Sequence, residues 1–130
     1  MILDTTVHTP EVKRIMAAKV GEPYSMMERI RMGGVGSKRM RINSVSEQFT
    51  TYFSNQLDTV YCNIEIRKAG FVIHFKKYQT VYSWLIPSNR LQIENDQVFT
   101  LISEEHRFSL TKDRLFNENK VFLQKLFVVN

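Results

Sequence analysis

The chain has 130 residues, 43% of them hydrophobic and 24% charged. That length buries roughly two-thirds of the surface an unfolded chain exposes, and the composition excludes disordered, fibrous and low-complexity classes. Cys62 is the single cysteine, which rules out an intrachain disulfide or a cysteine metal cluster and fits a reducing compartment. The net charge of +5 is local: residues 1–45 hold eight Lys/Arg against four Asp/Glu, and the remainder holds ten against nine. Such an excess bears on anionic partners rather than on fold.

Met1 to Thr6 lack the basic start and apolar stretch of a signal peptide, and no later apolar run approaches the roughly 20 residues of a membrane span. The expected location is cytoplasmic. Thr9-Pro10-Glu11 reads as a helix start, with Thr9 as N-cap, Pro10 at a position that needs no donor, and Glu11 near the positive helix end. Val12, Ile15, Met16 and Val20 recur at helical spacing, and Gly21 supplies the stop. A second short helix is expected over Pro23–Met32, with Tyr24, Met27 and Ile30 on one side and Gly33-Gly34 ending it. The methionines Met26, Met27 and Met32 read as core, with an adaptable protein interface as the other possibility.

From Phe49 the period changes to two. Phe49, Thr51 and Phe53 alternate first. The run from Val60 to Arg67 has apolar even positions, and Lys68-Ala69-Gly70 turns it. Phe71, Ile73 and Phe75 follow, and after Lys77-Tyr78-Gln79 comes Val81–Ile86, a run apolar enough to be buried on both faces. Pro87 ends that strand. Leu91 and Ile93, then Phe99 and Leu101, then His106, Phe108 and Leu110 carry the rest, with a tight hairpin at Glu104-Glu105. Leu115, Phe116, Phe122, Leu123, Leu126 and Phe127 return to helical spacing, with Thr111, Asp113 or Asn117 as candidate caps. The expectation is a single α+β domain over 1–130: a helical, basic N-terminal segment (1–45), then an antiparallel sheet of about seven strands closed by a C-terminal amphipathic helix (46–130).

Short antiparallel strands from Phe49 to Leu110, the Trp84-Leu85-Ile86-Pro87 stretch within them and one terminal helix make residues 49–130 similar to the pleckstrin-homology-like barrel in its bacterial versions. The terminal helix has no tryptophan and the first two strands carry no basic phosphoinositide motif. The resemblance therefore implies a PH-like barrel or roll and a binding or scaffolding module, with no catalytic residue to carry over.

Gly33-Gly34-Val35-Gly36-Ser37-Lys38 invites a phosphate-loop reading, but Ser precedes Lys and no buried strand precedes the glycines. Around this glycine-rich, flexible-looking stretch, Arg29, Arg31, Lys38, Arg39 and Arg41 span thirteen positions without an acid. These five are the candidate binding residues, since arginines on an adaptable loop can grip phosphates by paired hydrogen bonds. The competing reading is a solvated surface, or pairing with Glu22, Glu28 and Glu47. His8, His74 and His106 have no metal-ligand spacing; His74 is expected to face solvent and His106 to be a core or edge group. Cys62 falls in phase with Ile64 and Ile66 and reads as a buried structural thiol. Among Tyr52, Tyr61, Tyr78, Tyr82 and Trp84, which with Arg67, Lys76 and Lys77 could stack single-stranded nucleic acid, Tyr82 and Trp84 share a face that reads as core.

No nucleophile, base or metal-ligand set converges, so neither catalysis nor a cofactor is expected. The favoured function is a non-catalytic protein-interaction or scaffolding module with a protein partner or a second copy of the chain. The alternative is an anion-binding module for nucleic acid or acidic lipid headgroups through residues 29–41.

Overall fold

The strand alternation seen in the sequence becomes, in space, a sheet with two differently used faces. The computed structural model describes residues 1–53 and 61–129. Among these, eight strands, β1 (Ile2–Asp4), β2 (Met40–Val45), β3 (Tyr61–Arg67), β4 (Gly70–Lys77), β5 (Thr80–Pro87), β6 (Gln92–Asn95), β7 (Phe99–Ser103) and β8 (His106–Leu110), form one antiparallel sheet ordered β1-β5-β4-β3-β2-β8-β7-β6. No pairing joins the outer strands β1 and β6 among the described residues, so the sheet is open. The fold is α+β, as expected. Val60, expected in the third of these strands, lies outside the described residues.

β2 carries the sheet around its sharpest irregularity. Met40 and Arg41 pair with β3, while Ile42, Ser44 and Val45 pair with β8, and the register shifts between Ile42 and Ser44. A bulge of this kind bends and over-twists a strand. The two halves of the sheet then face one another closely enough for Trp84 of β5 and Phe108 of β8 to stack at 6.0 Å between ring centroids, although β4, β3 and β2 lie between those strands.

Phe49 fills the space between the halves. It is fully buried and meets the rings of Trp84 at 5.0 Å, Phe108 at 5.4 Å and Phe75 at 6.3 Å, each edge-on. It belongs to a 3-10 helix, Glu47–Tyr52, which corrects the expectation of a strand through Phe49, Thr51 and Phe53. Phe49, Tyr52 and Phe53 all pack on the core, at the i, i+3, i+4 spacing of a helical turn. In so short a run the two periods share positions, and tertiary packing decides between them.

The N-terminal segment also departs from a purely helical reading, because it supplies β1 and β2. Its first helix, α1 (Pro10–Val20), has the expected cap, Thr9 Oγ1 accepting from the Val12 N–H at 3.1 Å, and stops at Gly21 with φ +81°. A Cβ at Gly21 would lie 2.7 Å from the Ala69 nitrogen, so glycine also permits the close approach of the β3–β4 turn. α1 covers the outer face of the sheet, packing Met16 and Val20 on Val72 and Leu85. The expected burial of β5 on both faces follows, with Trp84 and Ile86 inward and Leu85 outward.

The second helix, α2 (Met26–Met32), begins later than Pro23 because Ser25 and Glu28 form a reciprocal capping box. The terminal helix divides into α3 (Arg114–Asn117), capped by Asp113, and α4 (Lys120–Val129). Asn119 sits buried at the break, donating to the Leu115 carbonyl at 2.9 Å and accepting the Lys38 N–H at 2.9 Å. Phe122, Leu123 and Leu126 of α4 close the main core.

Truncating Phe49 would leave a cavity walled by four aromatic rings, those of Phe75, Trp84, His106 and Phe108. Phe49→Ala is expected to destabilise the fold by about 3–5 kcal/mol, read as a lower urea midpoint from the fluorescence of the sole tryptophan, Trp84.

Candidate functional site

The five basic residues fall on two different elements. Arg29 and Arg31 stand exposed in the last turn of α2. Lys38, Arg39 and Arg41, also exposed, follow a segment that runs beside β3: the Ile66 N–H donates to the Val35 carbonyl at 2.7 Å, and the Ser37 N–H to the Ile64 carbonyl at 2.8 Å. Ser37 Oγ accepts the Ile64 N–H at 2.8 Å, and Val35 is buried. The glycine-rich stretch is therefore docked on the sheet rather than loose.

Its polarity is also the reverse of a phosphate loop. Gly33, at φ +74°, ends α2 as a left-handed cap, so the helix presents its carbonyl end, where the dipole favours a cation. Lys125 of α4 takes that place, donating through Nζ to the Gly33 and Gly34 carbonyls at 2.9 and 3.0 Å.

Arg39 and Arg41 flank the buried Met40 and by strand alternation share the outer face. The Arg39 guanidinium sits 4.4 Å from the centre of the Tyr61 ring, a cation–π contact. Arg41 pairs with Asp113 at 3.7 Å, not with the acids suggested by the sequence. Glu28 is used by its capping box and by Lys68 at 3.5 Å.

The middle of the outer face holds a polar chain that the sequence reading missed. Thr5 Oγ1 lies 2.6 Å from Ser83 Oγ, Ser83 Oγ lies 2.7 Å from His74 Nδ1, and His74 Nε2 lies 2.9 Å from Glu65 Oε1. Glu65 Oε2 then accepts from Arg67 at 3.2 Å, and Arg67 Nε donates to the Gly21 carbonyl at 3.1 Å. The expectation that His74 faces solvent is corrected: it is a bridge across β3, β4 and β5. A carboxylate only accepts, so Nε2 carries the hydrogen; the Nδ1 of a neutral ring then accepts from Ser83, which accepts from Thr5. Burial raises the pKa of Glu65, but the hydrogen bond from His74 and the charge of Arg67 outweigh it, and the carboxyl titrates below its usual range.

A serine, a histidine and a carboxylate in line suggest nucleophilic catalysis, which needs a serine oxygen open to substrate. Ser83 is 0% exposed and its oxygen is taken by Thr5. The chain instead fastens β1 to β5 and the end of α1 to β3. The signal for it was present in the turns: with two-residue turns at Lys68-Ala69 and Tyr78-Gln79, the register sets His74 opposite both Asn63 and Ser83.

Cys62 is buried, and burial pushes its thiol pKa well above the usual range, the behaviour of an inert structural thiol. His106 packs its ring on Phe49 at 5.5 Å. A small cavity of about 60 Å³ lies between Met1, Lys19, Trp84, Ser103, Glu104 and His106, far below the ~300 Å³ at which small-molecule sites begin. Among the described residues, no three His, Cys, Asp or Glu side chains could hold a metal ion together, and no helix is long and apolar enough to cross a membrane. No family model, curated protein or solved structure matches the chain.

Because its folded-state pKa is depressed, Glu65 stabilises the fold above the ordinary carboxyl pKa of about 4.5, and that contribution is lost as pH falls below it. Urea midpoints measured between pH 7 and pH 3 should fall less steeply with acidification in Glu65→Gln than in the parent.

Proposed function

We propose that the chain is a non-catalytic interaction module whose docking element is α2, and that its partner is a protein presenting an apolar groove edged with acidic residues. One observation carries this reading. Helix α2 buries none of its residues, and Met26, Met27 and Ile30 are 71%, 64% and 71% exposed. The methionines expected in the core at positions 26 and 27 are thus solvent-facing, and only Met32, at the end of α2, packs partly on the core. A helix that leaves its apolar side chains in water is favoured when a groove covers them.

The helix is nevertheless formed and tied to its neighbours: its capping box fixes its first turn, and Lys68 and Lys125 contact its two ends. Pre-positioning of this kind lowers the ordering cost of binding. Methionine side chains adapt to irregular grooves. Arg29 and Arg31 stand beside them, which selects an acidic rim. The same charges disfavour a second copy of the chain as partner, since a two-fold contact through α2 would bring like charges together.

The resemblance of residues 49–130 to the pleckstrin-homology-like barrel supports a curled, PH-like roll as the rigid platform, with β2 rather than the Phe49–Phe53 segment supplying its first strand. The added elements β1, α1 and α2 precede it. The lone, buried Cys62 fits a reducing, cytoplasmic setting.

Selection from a displayed library of helical peptides tests the docking element. Peptides that carry Asp or Glu beside an apolar stripe should enrich, and should lose at least tenfold in affinity for Met26→Gln/Met27→Gln/Ile30→Gln, while each substitution changes stability by no more than about 0.5 kcal/mol. Absence of enriched binders, or binders indifferent to the triple substitution, would refute it.

A further inference from the structure

The outer face of the sheet divides into three zones. Near the β3–β4 turn, α1 covers Val72 and Leu85. The Thr5–Ser83–His74–Glu65 chain occupies the middle. Toward the β4–β5 turn none of the described helices covers the face: Arg39, Arg41, Asn63 and Lys76 are exposed, and Tyr61 is half-buried beneath Arg39. Arg41 pairs with Tyr61 in the β2–β3 register, and Lys76 occupies the next position beyond the Cys62–Phe75 pair, opposite Tyr61. Arg41, Tyr61 and Lys76 therefore form a row across three strands about 10 Å wide.

Tyr78 stands at the tip of the adjoining turn, 78% exposed and at φ +56°. A bulky residue in that conformation is uncommon, and Asn or Gly would serve the turn better. The strip thus combines one exposed aromatic ring, Tyr78, and one half-buried beneath a guanidinium, Tyr61, with three cations: Arg41 of β2, Lys76 of β4 and Arg39 just before β2. Asp113 partners Arg41 at its edge, and the nearest strand acid, Glu65, is held by His74 and Arg67.

We propose that this strip is a binding site for single-stranded nucleic acid, separate from the docking helix α2. Unpaired bases stack on tyrosine rings whatever their sequence, and guanidinium and ammonium groups grip the intervening phosphates. A sheet face suits this chemistry because it holds rings and cations at fixed spacing. An anionic membrane is disfavoured, since among the described residues the row holds a single, partly buried aliphatic side chain, Val81 opposite Lys76, too little apolar surface to enter the acyl region. A duplex keeps its bases stacked internally and leaves the rings nothing to cover.

The test uses the full chain and a fluorescein-labelled twelve-nucleotide oligothymidylate, with fluorescence anisotropy read at low and moderate salt. Binding should weaken as salt rises, and Arg39→Gln and Lys76→Gln should each flatten the log–log salt slope by roughly 0.7. Tyr78→Asn, which suits the left-handed turn, should fold normally and weaken binding roughly fivefold or more. Met26→Gln/Met27→Gln/Ile30→Gln should bind the oligonucleotide as the parent does, so failure of the docking helix would leave this site standing, and the converse. The proposal is overturned by no oligonucleotide binding at low salt, by binding indifferent to Tyr78→Asn and Lys76→Gln, by equal affinity for the duplex, or by stronger retention on phosphatidylglycerol vesicles than on the oligonucleotide.

Discussion

Phe49 is where the two halves of the sheet converge. It enters from the short 3-10 helix that follows β2, and its ring meets side chains from β4, β5 and β8, strands spread across the sheet order. Edge-on aromatic contacts of this kind add roughly 0.5–1.5 kcal/mol each beyond the burial of area. They can form only if the bulge in β2 brings the halves together. The bend and its plug are therefore one feature: without the ring the curved sheet would enclose a void, and without the curve the ring would have no walls.

Packing one face of the sheet on the main core leaves the opposite face to be managed separately, and the chain treats it in parts. The apolar part lies under α1. The middle, close to that helix yet partly wet, carries groups that hydrogen-bond one another end to end, and no buried side-chain nitrogen or oxygen among the described residues lacks a partner. A half-satisfied version of this network would be worse than an apolar replacement. The remaining part is exposed and cationic. Its rigidity comes from the strands beneath it, which is why the sheet rather than a loop supports a proposed site there.

Much of this was legible in the residues. The six strands from Tyr61 to Leu110, the Thr9-capped first helix, the Glu104-Glu105 hairpin, where Glu104 has φ +57°, and the core positions of Trp84 and Phe108 follow from period and turn chemistry alone. β2 was hidden because its bulge shifts the alternation after Ile42, so no clean period of two runs through Met40–Val45. β1 is only three residues long, too short for any period. The exposure of Met26, Met27 and Ile30 could not be read either, since helical spacing shows that apolar residues share a face and not whether anything covers it. The basic run was legible as composition, yet its division between α2 and the sheet depends on Gly33 and on the docking of Val35, both settled by tertiary contacts. The juxtaposition of His74 with Ser83 and the neighbourhood of Glu65 is encoded in the hairpin register, which the two-residue turns set.

The bonds from Lys125 to the carbonyls of Gly33 and Gly34 have one more consequence. They join residues more than ninety positions apart, and they do so at the end of α2, through a helix whose Phe122, Leu123 and Leu126 close the main core. A pull on α2 is therefore borne by the terminal helix as well as by the neighbouring backbone. Mechanically, the end of α2 and the Lys125 turn of α4 form a clasp, and a force that pries one open must also work against the other.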